Sequence, residues 1–281
     1  MNKLPDTFAV FILTHGRPDN VITYKTLEKC GYTGRLYFIV DNEDKTVGQY
    51  IKNFGADRVV VFDKKAVADQ CDEGNNFDER RTITMARNAC FDIAPTLGVT
   101  HFIQLDDDYT DFLYRFENKL GFTPYVKNID RVLLSFLGFY QSSGSASIAF
   151  SQGGDHIGGF SVTKMRRKAM NSFFCSTERP FRFVGAMNED VNTYTTLGSR
   201  GSLFFTFTSV QLNQKQTQSQ GGGITEMYLR FGTYCKAFTT VMMMPSSVKV
   251  SMMNTTNPRI HHLIKWANTV PMIIDERHKK N

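Results

Sequence analysis

The 281-residue sequence has no window approaching the roughly 18 to 20 unbroken apolar residues that a membrane span requires. Its start, MNKLPDTFAVFILTHGRP, has a lysine and a short apolar run but no small-residue cleavage site, and His15 and Arg17 follow at once. The segment therefore reads as a first strand rather than a secretory leader. Cysteines are few and scattered. Cys30, Cys71, Cys90, Cys175 and Cys235 are odd in number and form no CxxC pair, which argues against a disulfide framework and a cysteine zinc site and fits a reducing cytoplasm. There is a single tryptophan, Trp266, read as packing, and no internal repeat. Acidic charge is in deficit: 27 carboxylates against 33 Lys and Arg leave +6, which favours an anionic partner, either nucleic acid or a phosphorylated ligand.

What is present is an alternation of strand-like and helix-like segments. TFAVFILT (7–14) is a nearly continuous apolar run, as in a strand buried on both faces. RPDNVITYKTLEKCG follows with Val21, Tyr24, Leu27 and Cys30 at helical spacing and Gly31 as a stop. RLYFIVDNE (35–43) predicts a second strand, KTVGQYIKNFG a short helix, and RVVVFDK (58–64) a third strand. DERRTITMARNACFDIAPTLG carries one apolar helical stripe, and HFIQL predicts the fourth strand. Four strands alternating with helices imply an α/β fold with a parallel sheet. Beyond about residue 115 the pattern loosens. A helix is expected near 128–141, strands near 146–151, 157–163 and 202–213, and a mobile loop at QKQTQSQGGG (214–223). The methionines of VMMMP and SMMN are expected to fill core gaps.

Ligands of open α/β sheets bind beyond the carboxyl ends of the strands. Those ends carry Thr14, His15 and Arg17; Asp41, Asn42 and Glu43; Asp63 and Lys64; and the triplet Asp106, Asp107 and Asp108. Adjacent carboxylates repel unless a cation is near. Along extended backbone Asp106 and Asp108 point one way and Asp107 the other, so the pair suits Mg²⁺ or Mn²⁺ bridging two phosphate oxygens. Arg80, Thr84 and Arg87 share the helix face opposite the apolar stripe and would add positive charge to the same cleft.

FIQLDDDY resembles the metal-binding DXD element of GT-A glycosyltransferases, and MARNACFDIA resembles their nucleotide-contacting Arg-Asn helix. ILTHGRP and FIVDNED are similar to the first two nucleotide-binding loops of that fold, and VGAMNEDVN (184–192) to its xED element. The resemblance implies an α/β fold of GT-A (Rossmann-like) type: a mostly parallel central sheet flanked by helices, with a mixed C-terminal acceptor region. It implies one domain over 1–281, with a nucleotide-binding half (1–115) and an acceptor-binding half (116–281). Asp190 would be the catalytic base with Glu189 as its neighbour. Thr14, His15, Arg17, Asp41, Lys64, Arg87, Asn88, Asp106 and Asp107 would bind the nucleotide sugar, a UDP-sugar by family analogy. Asp106 and Asp108 would hold the metal, and in NPRIHHLIKW (257–266) either His261 or His262 would be a third ligand.

The triple Asp, the length and QGGDHIGGFSV resemble, more narrowly, the phage glycosyltransferases that modify hydroxymethylated DNA bases, the TET-associated group and the hydroxymethylcytosine arabinosyltransferases. That implies a DNA acceptor carrying a 5-hydroxymethyl pyrimidine, met by Asp155, His156 and Gly159, and a cytoplasmic location, the host's if phage-encoded. KMRRK (164–168), the tail DERHKKN and exposed aromatics near 173–183 would serve DNA contact and base stacking. A saccharide, lipid or protein acceptor, a nucleotidyltransferase, and a non-catalytic nucleic-acid-binding domain are the competing readings. The identity of the sugar, the stereochemical outcome and any self-association are not written in the sequence.

Overall fold

Strand β1 (Phe8–Leu13) has every residue buried, because its two faces enter two different cores. Phe8, Val10 and Ile12 join one cluster, while Ala9, Phe11 and Leu13 join the other. This is the period-two logic of a strand covered on both sides. The computed structural model describes residues 3–72, 80, 82–115, 124–156, 163–164, 169–215, 232, 234–253 and 258–271, with backbone only for His156, Thr163 and Lys164.

Helices α1 (Ile22–Lys29) and α2 (Val47–Phe54) lead to β2 (Arg35–Asp41) and β3 (Val59–Phe62). A five-residue α3 (Lys64–Ala68), capped by Asp63 accepting from Ala66 N at 3.0 Å, precedes α4 (Thr84–Thr96) and β4 (His101–Asp106). β1 pairs in parallel with both β2 and β4, and β2 with β3. The carboxyl ends of all four strands therefore open on one edge, as the alternating pattern predicts.

The second half is mixed. β5 (Tyr109–Tyr114), α5 (Ile129–Ser143), β6 (Ser147–Ser151), a 3₁₀ turn (Gly153–His156), β7 (Thr163–Lys164), β8 (Ser172–Ser176), α6 (Glu189–Gly198) and β9 (Phe204–Gln214) follow. The sheet runs β3-β2-β1-β4-β8-β6-β9-β5, with β7 on β9. β8 is antiparallel to β4, so it brings the chain back along the strand that ends in the acidic triplet. Helix α7 (Tyr234–Met243) packs on a separate antiparallel hairpin, β10 (Val248–Met253) and β11 (Arg259–Ile264). Among the described residues no helix is long and apolar enough to cross a membrane.

Three expectations are corrected. Helix α4 begins at Thr84, so Arg80 lies outside it and pairs with Glu43 at 2.7 Å instead of sharing a face with Arg87. The aromatics of 173–183 are not exposed: Phe173 and Phe174 are fully buried because β8 is a central strand, and Phe183 and Phe181, beyond it, pack against Phe173 and Phe91 in the same core. The methionines do not all fill gaps, since Met242 and Met252 are 59% and 55% exposed. Trp266 is half-buried and stacks on Tyr194 at 6.0 Å.

Candidate functional site

The loop after β1 is fixed by two buried groups that sequence reasoning passed over. The Tyr50 hydroxyl accepts from Arg17 N at 2.8 Å and shares a hydrogen bond of 2.8 Å with Thr14 Oγ1. Asp44 accepts from Gly16 N and Thr46 N, both at 2.7 Å, tying the first loop to the second. Gly16 has φ +67, a left-handed value that suits glycine at this turn. Asp44 is the last acid of the DNED run and Tyr50 the one fully buried residue of α2. The signal was present, but each acts through backbone contacts that composition cannot display.

Asp41, His15 and Lys64 form a second cluster at the ends of β2 and β3. His15 Nδ1 lies 2.6 Å from Asp41 Oδ2, and Lys64 Nζ lies 3.4 Å from Asp41 Oδ1. Burial works against the Asp41 charge, but His15 and Lys64 outweigh it and hold the carboxyl below its ordinary range. The hydrogen bond to Asp41 raises the His15 pKa, against the effect of burial.

The acids at the end of β4 are three different chemical groups. Asp107 is buried and accepts from Thr14 Oγ1 at 2.7 Å and Arg17 Nη1 at 3.1 Å. Asp106 accepts from Arg87 Nη2 at 3.0 Å, and its carbonyl accepts from Thr23 Oγ1 at 2.5 Å. Asp108 makes no side-chain hydrogen bond to another described residue. Burial raises all three carboxyls, Asp106 up to about 7. For Asp106 the Arg87 charge opposes that rise, and Asp108 and Asp107 add to it.

Arg87 is 1% exposed, the largest fully buried side chain among the described residues. Its Nε donates to Glu189 Oε1 at 3.1 Å, and its plane lies 5.1 Å from the Phe173 ring centroid. Burial opposes its charge, yet Asp106 and Glu189 more than compensate and raise its pKa. The two ends of the Arg87–Asp106 pair thus shift in the same direction. One guanidinium shared between two carboxylates keeps its own proton firmly but only partly offsets the removal of Asp106 from water. Arg87 Nη1 is buried with no hydrogen-bond partner among the described residues, an orphaned donor beside the acidic corner.

Beyond Glu189 stands Asp190, also in the first turn of α6 and buried. Its Oδ1 accepts from Val191 N at 2.7 Å. Burial and the neighbouring Glu189 push its pKa up to about 6, against Lys236. Asn188 enters this helix in the left-handed conformation (φ 55, ψ 38) and donates to Lys236 O at 2.7 Å and Thr240 Oγ1 at 2.9 Å. Its amide lies 3.5 Å from His262 Nδ1. The hairpin therefore adjoins the Glu189–Asp190 turn, with His262 buried and the His261 ring tilted against it at a centroid distance of 4.1 Å. The Tyr194 hydroxyl is buried with no partner among the described residues, and the charges of Asp190 and Asp155 both act on it after burial.

Other expected site residues are placed differently. Asn88 donates to Phe183 O at 3.0 Å and accepts from Phe183 N at 2.7 Å, so it fastens 183 to α4 and presents no free amide hydrogen to a nucleotide. Asp155 accepts from Gln152 N at 2.9 Å, within its own turn. The His156 side chain, Gly159, residues 165–168 of KMRRK, residues 216–223 and the DERHKKN tail lie outside the described residues. A cavity of about 430 Å³ is lined by Arg35, Tyr37 and Arg58, at the opposite ends of β2 and β3 from Asp41, and is not part of this site.

Among the described residues no group of three or more His, Cys, Asp or Glu side chains is gathered to hold an ion unaided. Mg²⁺ needs no such cage: it is commonly held by one or two carboxylates, water and substrate phosphates. Asp106, 23% exposed at its side chain, and Asp108 supply that hard-oxygen donor set, and the orphaned Arg87 donor suits an anion beside it.

No curated protein matches the sequence. Among solved structures the chain is similar to S. aureus TarS 1-349, with TM-score 0.40 and 12% identity over 83% of this chain and 65% of that one. It is also similar to glucosyl-3-phosphoglycerate synthase from Mycobacterium tuberculosis in complex with Mg²⁺ and uridine diphosphate. There the TM-score is 0.48 and the identity 9%, over 92% of this chain and 87% of that one. Residues 8–223, a span that runs from β1 through the acidic triplet and the Glu189–Asp190 turn, match the profile of one family across most of the chain. The chain belongs to the TET-Associated Glycosyltransferase family and is a glycosyltransferase.

Proposed function

We propose that this glycosyltransferase moves a sugar from a nucleoside diphosphate sugar donor, a UDP-sugar, to the hydroxyl of a 5-hydroxymethyl pyrimidine in DNA. The supporting observation is the buried relay Asp106–Arg87–Glu189, which joins the acidic strand end to the turn bearing Asp190 through contacts of 3.0 and 3.1 Å. Burying an arginine carries a desolvation cost that its two carboxylate partners offset, and in this reading the shared cation also fixes their relative positions.

In this reading Thr14, His15, Arg17, Asp41 and Lys64 receive the nucleoside and its phosphates, and Asp107 holds that loop in place. Asp106 and Asp108 would hold a divalent cation, with His261 or His262 as a further candidate ligand. Such an ion supplies charge neutralisation for the departing diphosphate. Arg87, whose Nη1 has no partner among the described residues, would add positive charge beside the same developing anion. The Asp190 carboxylate takes the acceptor hydroxyl proton, and its raised pKa places the base nearer neutral pH than an ordinary aspartate. Asn88 acts only by holding 183. Asp155, His156 and Gly159 remain the proposed acceptor-side residues. Residues 1–115 and 116–281 would be the donor and acceptor halves of one domain in the cytoplasm.

The test incubates the protein with hydroxymethylcytosine-containing DNA, Mn²⁺ or Mg²⁺ and a panel of nucleotide sugars, then digests to nucleosides for mass analysis. A mass gain of one glycosyl unit, lost in Asp108→Ala, is expected. Transfer only to saccharide, lipid or protein acceptors would refute the DNA reading.

A further inference from the structure

From residue 227 to residue 274 the sequence contains no Asp or Glu, although the chain carries 27 of them. At that overall frequency a stretch of this length would hold four or five. The described part of the stretch is one structural unit: α7 packed on the β10–β11 hairpin. Lys249, Arg259 and Lys265 on it are exposed, and none forms an ion pair with a carboxylate among the described residues. The unit therefore presents unneutralised positive charge to solvent.

The same unit exposes aromatic surface. Tyr234 and Phe238, 52% and 51% exposed, lie one helical turn apart on α7, and Met242 continues the row at the next turn. The two rings meet edge to face with centroids 6.3 Å apart. The buried side of α7, Ala237 and Thr240, is turned away from this row. Thr240 and the Lys236 carbonyl anchor Asn188, two residues before Asp190. One helix diameter, about 10 Å, thus separates the aromatic row from the turn carrying the proposed base. That is the span of a few nucleotides, too far for the reacting base and suitable for its neighbours on the strand.

We infer that α7 and the β10–β11 hairpin form the docking surface for the acceptor strand, gripping the nucleotides that flank the modified base. Tyr234 and Phe238 on α7 offer stacking surface, and Lys249 and Arg259, on the hairpin face away from the buried His262 and Ile264, contact phosphates together with Lys265 as the strand passes round the unit. The inference rests on the DNA-acceptor reading above. A second copy of the chain is a poor occupant, because two such faces would repel. An anionic lipid surface shares the charge logic, and the experiment separates it.

Binding of a fluorescein-labelled single-stranded oligodeoxynucleotide is measured by anisotropy for the wild type, Tyr234→Ala/Phe238→Ala, and Lys249→Gln/Arg259→Gln/Lys265→Gln. All five side chains are exposed, and the thermal unfolding midpoint verifies folding. The aromatic variant is expected to weaken binding roughly 10- to 100-fold, the range for lost base–aromatic stacking. The charge variant should reduce the slope of log K against log salt by about 2, three phosphates at about 0.7 each. Unchanged binding in both variants, with the wild type still modifying DNA, overturns this inference alone. A wild type that neither binds nor modifies DNA removes the acceptor reading and the inference with it. Capture by vesicles of phosphatidylserine and phosphatidylcholine that needs Tyr234 and Phe238, with no oligonucleotide binding, assigns the surface to membrane and also overturns it.

Discussion

Replacing Arg87 by methionine tests whether the buried relay holds the site together. The guanidinium is 1% exposed, pairs with Asp106 at 3.0 Å and Glu189 at 3.1 Å, and is walled by the Phe173 and Phe183 rings. Methionine is close in length and suits those apolar walls, so the change removes charge rather than volume. It strands two carboxylates without their shared cation, for which about 3–5 kcal/mol is the usual cost of breaking a buried pair. Against a total stability of roughly 5–15 kcal/mol, that is a large fraction.

The loss depends on pH, and its sign follows from Asp106. Its folded pKa, about 7, is raised above the unfolded 3.8. The protonated form is therefore favoured by folding, and this contribution is present below pH 3.8 and lost as pH rises through 7. Without Arg87 the carboxyl moves higher still, so at pH 5 it is protonated in both proteins and the variant loses less. Urea unfolding midpoints at pH 5 and pH 8 give the comparison. A deficit of about 3–5 kcal/mol at pH 8 that shrinks clearly at pH 5 is expected. Arg87→Met/Glu189→Gln, which strands one carboxylate fewer, should recover about 1–2 kcal/mol. A deficit below about 1 kcal/mol at pH 8, or one equal at both pH values, would refute the relay.

Asp108→Asn should not lower the unfolding midpoint, since its side chain bonds no described neighbour and burial beside Asp107 disfavours its charge. It should abolish the metal dependence of UDP binding, read by titration calorimetry with and without Mn²⁺. Asp190→Asn should lower kcat about 10²- to 10⁴-fold with UDP affinity retained. In the wild type the acid limb of kcat/KM should fall near pH 6, where Asp190 takes up its proton, rather than near pH 4. Tyr50→Phe removes the acceptor that holds Arg17 N and should raise the donor KM while costing roughly 1–3 kcal/mol of stability. Asn188→Gly keeps the left-handed turn but deletes two hydrogen bonds to α7, so kcat should drop more than folding stability, checked by parallel kinetics and melting.

The parallel half of the fold is legible in the sequence because each strand is short, apolar and punctuated. β1, β2, β3 and β4 fall within a few residues of their expected places. The second half is harder because β8 is sandwiched in mid-sheet, between β4 and β6. SFFCS therefore carries no alternation, and its phenylalanines resemble a surface aromatic cluster when read alone. The helix start at Thr84 shows a similar limit: ERRT has good helical propensity, but Arg80 is engaged by Glu43 outside the helix. Motif reading found the acids and Arg87, since charge at a strand end is anomalous locally. It passed over Asp44, Tyr50, Asn188 and Tyr194, whose roles depend on groups distant in sequence.

The acidic triplet shows why adjacency in sequence does not mean equivalence in chemistry. All three carboxylates leave the same strand end, yet each is met by a different element. Asp107 is drawn to Thr14 and Arg17 of the first loop, and its two oxygens are committed there. Asp106 is taken by Arg87 through one oxygen only, with its side chain still 23% exposed. Asp108 follows in the turn before β5, with no such partner. A ligand approaching this edge meets one neutralised acid, one half-engaged acid and one open acid. In the proposed reading these two neighbouring like charges would suit a divalent cation, whose compact double charge can neutralise them without displacing Arg87. The third aspartate, Asp107, locks the loop proposed to receive the nucleotide. On this argument Asp107→Asn should weaken donor binding without changing the metal requirement, the reverse of the Asp108→Asn signature.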